Sequence, residues 1–198
     1  MLELNLVRHG ESEGNLRPTA LGVTDLPLTE RGRRQSHSLG RIFALQKPEA
    51  IYTSPLKRAV DTAAAIAKPH GMITLPMIDL CERHFGIWEN KSVADIKRDF
   101  EEEYTAWQQD LTNYVISGGE STKEVYDRCT RAVDELLAIH KEGSIVVVSH
   151  LGCIRSILAY LLGMGIDGFW RFQVNTGALC RLRIDEKANG VLTAFNEI

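Results

Sequence analysis

The chain has 198 residues, 44% hydrophobic and 25% charged, enough for one domain with a sizeable core. A formal net charge of −3 and the lack of any long basic block argue against nucleic acid as the main partner. No apolar run approaches the ~20 residues that span a bilayer, and no basic-then-apolar leader opens the chain, so membrane insertion and export are not expected and a cytoplasmic location is.

Leu2–Val7 reads as a first strand. Thr29 is placed to cap a helix from about Glu30 to Leu45, with Leu39, Ile42 and Phe43 on one face. Ala50–Thr53 reads as a short strand. Ser54-Pro55 then offers an N-cap serine and a proline at the first helical position, for a helix running to about Lys68. Met72–Leu75 reads as a third strand. Ser92–Leu111 is polar and aromatic, and is expected to be helical in pieces. Ser121-Thr122-Lys123-Glu124 fits a capping box and opens a long helix whose apolar face is Val125, Cys129, Val133, Leu136 and Leu137. "SIVVVS", residues 144–149, is continuously apolar, as a strand covered on both faces must be. A helix follows from about Cys153 to Leu162. Leu179–Ile184 and Val191–Phe195 read as closing strands around the turn at Asn189-Gly190. The final strands offer an edge through which a homodimer can pair. The four cysteines, Cys81, Cys129, Cys153 and Cys180, are scattered with no Cys-x-x-Cys pair, so reduced buried thiols are expected. The alternation predicts a single α/β domain over residues 1–198 with a largely parallel sheet.

The first strand runs into "LVRHGESEGN", Leu6 to Asn15. Two chemistries meet there. Gly10-Glu11-Ser12-Glu13-Gly14 fits the G-x-S-x-G elbow of serine hydrolases, whereas Arg8-His9 sets a cation beside an imidazole. An elbow needs a helix right after the motif, and Arg17-Pro18 is poor helix-starting context. Ser12 therefore reads as a loop residue, either a turn-stabilising hydroxyl or a substrate contact. Arg58 falls in the first turn after the second strand, and His150 follows "SIVVVS" directly. In open α/β sheets ligands bind outside the carboxyl ends of the strands, so three strand ends deliver two arginines and two histidines to one edge. That set suits a phosphoryl group. Arginine forks match phosphate oxygens, and a histidine whose other nitrogen is held can act as a covalent nucleophile. A leaving alcohol would also need a proton from a nearby carboxylic acid.

These segments, with "PLTERG", "YTSPLKRAVDTA", "LCERHFGIWEN", "GGES" and "VVVSHLGCIRSIL", resemble the histidine phosphatase superfamily. That group holds cofactor-dependent phosphoglycerate mutases, fructose-2,6-bisphosphatases and alpha-ribazole phosphatases. The motifs stand in the family's order from residue 6 to about 162. The resemblance implies a three-layer α/β/α sandwich whose mostly parallel sheet contains one antiparallel strand. It implies His9 as the nucleophile that becomes phosphohistidine, Arg8, Arg58 and His150 as the phosphoryl clamp, and Glu82 as the proton donor. Asn15 and the backbone N–H of Leu151 match phosphate contacts. Gly22 joins the substrate-binding candidates, as does Arg83, which is suited to a second acidic group. No metal and no organic cofactor is implied.

Three positions depart from the family's usual pattern. Leu21 precedes Gly22 where many members carry Gln or Thr. Leu151 replaces a frequent glycine, and Asn90 replaces another that an αL turn would accommodate. His84 is read as a loop residue or a substrate contact, Trp88 and Trp107 as pocket walls or core, and Glu120 as a helix-dipole partner or a support to the site. His37, His70 and His140 read as surface residues. The family's mutases carry a long insertion between the acid glutamate and "GES", and only a short segment separates Glu82 from Gly119 here. The expected activity is therefore hydrolysis of a small phosphorylated metabolite. The alternatives are a cofactor-dependent phosphoglycerate mutase and, in a different class, a non-catalytic phosphate-ligand binding module.

Overall fold

Short apolar runs alternating with amphipathic ones build one sheet between two helical layers. The computed structural model describes residues 1–198. The strands are β1 (Leu2–Arg8), β2 (Ala50–Thr53), β3 (Leu75–Pro76), β4 (Gly143–Ser149), β5 (Leu179–Ile184) and β6 (Gly190–Glu197). The helices are α1 (Glu30–Phe43), α2 (Lys57–Ala67), α3 (Val93–Asp99), α4 (Glu101–Gln109), α5 (Thr122–Ile139) and α6 (Leu151–Leu161). The sheet order is β3-β2-β4-β1-β5-β6. β1 to β4 are mutually parallel, β5 runs antiparallel to β1, and β6 runs antiparallel to β5. One strand, β5, thus opposes the rest, as expected.

The period of two sorts β4 between the layers. Ile145 and Val147 face α5 and α6, in a core with Leu4, Leu6, Val133, Leu136, Ile154 and Ile157. Val146 and Val148 face α1 and α2, in a core with Val7, Leu39, Phe43, Ile51 and Ile66. Both faces are covered, which is why the run is apolar throughout. A smaller cluster of Trp88, Ile96 and Ile116 lies under α3 and α4, with Tyr104 and Trp107 packed against it.

Register sets the site. Arg8 pairs with Ser149 across the β1–β4 ladder, so His9 and His150 leave adjacent parallel strands at the same level. Thr53 pairs with Val148, which brings Ser54 alongside.

Local boundaries differ from expectation in three places. Leu56 is extended (φ −70°, ψ 136°) and caps α2, which begins at Lys57 instead of Pro55. The Ser54 hydroxyl accepts from Leu56 N–H at 3.3 Å but is also drawn to His150. β3 is two residues long and lies later than Met72–Leu75. The turn of Lys68–His70 ends at Gly71 (φ +61°), and Pro76 has no N–H to extend an edge strand. α6 starts at Leu151, two residues before Cys153, which makes His150 its N-cap. The Ser121 capping box and the α5 face match the expectation, as does left-handed Asn90 (φ 62°). All four cysteines are free, and all but Cys81 are buried.

Candidate active site

β1 delivers Arg8 and His9. The His9 ring is buried, 3% exposed, and its Nδ1 lies 2.7 Å from the Gly10 carbonyl oxygen. A carbonyl only accepts, so Nδ1 carries the proton and Nε2 keeps its lone pair. Gly10 N–H donates to Thr62 Oγ at 3.0 Å, and Thr62 Oγ donates to the Arg58 carbonyl at 2.7 Å. A side chain at position 10 would meet the Gly32 carbonyl oxygen at 2.4 Å, so the loop lies hard against α1. Burial, then the charges of Arg58 and Arg8, push the His9 pKa well below 6.5. The imidazole is neutral at neutral pH.

α2 delivers Arg58, which is fully buried. Its Nη2 donates to the Gly22 carbonyl at 2.6 Å, its Nη1 to the Thr24 carbonyl at 2.8 Å, and its Nε to His150 Nδ1 at 3.3 Å. A guanidinium only donates, so His150 Nδ1 accepts and its Nε2–H donates to Ser54 Oγ at 2.8 Å. Burial, then His9 and the arginines, push the His150 pKa well below 6.5. The two imidazole rings lie 5.0 Å apart. Arg8 Nη1 donates to the Val174 carbonyl at 2.6 Å, while its Nε is buried without a protein acceptor. Arg155, on α6, adds a third guanidinium close enough to depress the Arg8 pKa; it lies within "VVVSHLGCIRSIL" but is not among the residues singled out there.

Glu82 sits in an irregular loop facing the start of α6. Its Oε1 accepts from Arg83 N–H at 2.9 Å and its Oε2 from Gly152 N–H at 3.2 Å. A Cβ at Gly152 would lie 2.4 Å from that Oε1, so the glycine admits the carboxylate. The Leu151 N–H, at the first helical position, has no intrahelical acceptor and adds positive potential to the same edge. Arg8 and Arg58 with Arg155 near them, two neutral imidazoles, a helix N-terminus and one carboxylate thus converge. Such a set can hold a phosphoryl group, attack it through His9 Nε2 and give a proton to what leaves.

The remaining candidates separate. Asn15 keeps its place beside Arg8: both line a polar cavity of about 420 Å³ with Glu11, Arg31, Gln35 and Asn175. Its Oδ1 accepts from the N–H and hydroxyl of Ser12, both at 2.9 Å, which leaves its amide NH₂ for the site. Ser12 is a buried turn residue followed by a short 3-10 turn, not by the α-helix an elbow requires. Gly22 lies in the loop that holds Arg58, with its N–H bonded to Glu89 at 2.8 Å. Both its backbone groups are engaged within the protein, its carbonyl by Arg58. Arg83 is 6% exposed, lies over Phe85, and donates to the Glu120 carbonyl and Thr122 Oγ, while its Nη2 is buried without a protein acceptor. Leu21 packs onto Gly14, where a Cβ would meet it at 2.4 Å, and so serves packing. Trp88 and Trp107 pack edge to face at 5.7 Å in the small aromatic core. His84 Nδ1 accepts from Gly86 N–H at 2.9 Å. His37 is exposed, but His140 is mostly covered, 2.9 Å from the Tyr52 hydroxyl. Ser54 and Thr62 escaped the sequence reading. Ser54 carried a competing cap signal, whereas Thr62 stands four residues after Arg58, on the same face of α2.

The sequence pattern of the histidine phosphatase superfamily (branch 1) matches residues 4–197. The chain is 31% identical to phosphoserine phosphatase 1 of Hydrogenobacter thermophilus, over 97% of this chain and 91% of that protein. Its fold matches the crystal structure of a putative alpha-ribazole-5'-P phosphatase from Escherichia coli with a TM-score of 0.93, at 28% identity, covering 99% of this chain and 96% of the other. A mycobacterial glucosyl-3-phosphoglycerate phosphatase complexed with VO3 matches at a TM-score of 0.87 and 28% identity, covering 99% of each chain. With its motifs in order and its site assembled at the strand ends, this chain belongs to the histidine phosphatase superfamily.

Proposed function

We propose that the chain is a phosphomonoesterase that hydrolyses a small phosphorylated metabolite through a phosphohistidine on His9. The observation that carries this reading is the His9 Nδ1–H bond to the Gly10 carbonyl, which leaves Nε2 as a fixed nucleophile. His9 Nε2 attacks phosphorus, the P–N bond forms and the ester P–O bond breaks. The leaving oxygen takes the proton of Glu82. Water then attacks phosphorus, gives its proton back to Glu82, and releases inorganic phosphate and free His9. Arg8 and Arg58 stabilise the charge on the equatorial oxygens, joined by the Leu151 N–H and the Asn15 amide. Arg58 has two N–H groups beyond the three it uses in the protein, enough to reach one or two oxygens. His150 supports the clamp as a neutral imidazole: its Nδ1 accepts from Arg58 Nε and its Nε2–H donates to Ser54, so it fixes the direction of the Arg58 fork.

The relatives act, by name, on phosphoserine, alpha-ribazole phosphates and glucosyl-3-phosphoglycerate, which supports a small polar phosphate ester here. The cavity beside Arg8 is polar, which suits a polar ester. The test is phosphate release from p-nitrophenyl phosphate and from a panel of metabolite phosphates, with no added metal. Release supports the reading, binding without release returns the ligand-binding module, and phosphoryl transfer between phosphoglycerates without release returns the mutase. Pairing as a homodimer has one support, the open edge of β6, and sedimentation of the purified chain tests it.

A further inference from the structure

The loop that carries Glu82 has no regular structure between the turns Ile78–Leu80 and Gly86–Trp88. Something else must fix it. Arg128, on α5, reaches across and ends on that loop. Its Nη1 donates to the Asp79 carbonyl at 2.8 Å and the Cys81 carbonyl at 2.7 Å. Its Nη2 donates to the carbonyl of Glu82 itself at 3.1 Å. The rest of the fork is bidentate to Glu120, Nε to Oε1 at 2.8 Å and Nη2 to Oε2 at 3.1 Å. All five N–H groups therefore have acceptors.

Glu120 holds the other side of the loop. Its Oε2 accepts from His84 N–H at 2.9 Å, its own N–H donates to the His84 carbonyl at 2.9 Å, and its carbonyl accepts from Arg83 Nε at 2.9 Å. The pair is mostly covered, with side chains 12% and 25% exposed, so its bonds are poorly screened by water. Neither residue touches the Glu82 carboxylate. They grip the backbone before it, at it and after it.

We propose that Arg128 and Glu120 are positioning residues that set the direction of the Glu82 carboxyl toward the leaving oxygen. The proposal rests on Glu82 being the proton donor. A proton donor works only within hydrogen-bond reach, so a loop free to shift by about 1 Å should lose on the order of 10²-fold where that proton is needed. Lysine cannot substitute, because three donors on one nitrogen cannot serve three carbonyls and a bidentate carboxylate.

The experiment measures single-turnover phosphoenzyme formation with an alkyl phosphate and with p-nitrophenyl phosphate, whose leaving group departs without a proton. Arg128→Lys is expected to slow the alkyl ester about 10-fold to 10²-fold and the aryl ester less than about threefold. Glu120→Gln, which keeps shape and leaves the carbonyl contacts of Arg128, should show the same split in milder form if Arg128→Lys does not fold. Placed on Glu82→Gln, either change should add no further leaving-group selectivity. Equal losses on both esters, in wild type and in Glu82→Gln alike, would make the pair mere scaffold and overturn the proposal. Glu82→Gln that shows no selectivity by itself would instead remove the donor assignment, and the proposal with it.

Discussion

One carbonyl decides which nitrogen of His9 is reactive. The Gly10 oxygen, 2.7 Å from Nδ1, holds the proton there. His9→Ala is expected to lower turnover by on the order of 10³-fold or more, while Ser12→Ala, which removes one of the two bonds to Asn15 Oδ1 and leaves the backbone one, keeps most of it. Steady-state assays of the two variants check this, and a dead Ser12→Ala would contradict it. The donor is tested by its leaving group. Glu82→Gln should slow alkyl esters on the order of 10²–10⁴-fold and an aryl ester far less, as read by single-turnover rates; equal losses would take the role from Glu82. The two buried histidines also tie stability to pH. Their folded pKa values lie well below 6.5, so as pH falls through 6.5 the unfolded chain binds protons that the native state refuses. Stability is therefore complete above about pH 6.5 and declines below it, down to the folded pKa values. Tm is expected to fall over that window, and less steeply in His9→Asn; an unchanged slope would mean that His9 titrates as an exposed imidazole does.

At the scale of elements, the sequence was legible where the local signal and the tertiary demand agreed. The Ser121 box opens α5 as read, and Val133 and Leu136 face the core at helical spacing. It misled where a side chain had a second use. Ser54 looked like a cap, but its hydroxyl accepts the His150 proton at 2.8 Å, and α2 waits until Lys57. Arg83 looked like a free cation beside the acid, yet the Glu120–Thr122 turn, some 37 residues away in sequence, receives it. Such partners are set by packing between distant segments, which periodicity does not encode. The start of α6 offers a test. Gly152→Ala improves helix propensity, so Tm should hold within a few degrees, but its Cβ would crowd Glu82 Oε1. The variant is expected to slow alkyl esters about 10-fold while sparing aryl esters. Equal rates on the alkyl ester would mean that Glu82 moves freely without cost.

The whole molecule is a register device. Parallel pairing of Arg8 with Ser149 brings two histidines, 141 positions apart, to rings 5.0 Å apart. The sequence showed that both follow strands, and the rule that ligands sit at carboxyl ends made their meeting readable. What it did not show was the second layer of contacts, from Thr62, Ser54 and Arg128, that holds them still. Positive charge at the site comes from arginines and a helix N-terminus, so full activity is expected after exhaustive chelation. Loss on chelation, restored by one divalent ion, would contradict that. The most direct measurement is to quench the enzyme within one turnover of a radiolabelled phosphate ester and map the label. One phosphoryl group is expected on the peptide bearing His9, labile in acid and comparatively stable in base, as a phosphoramidate is. Label on Ser12, or turnover with no labelled enzyme at any time, would contradict it.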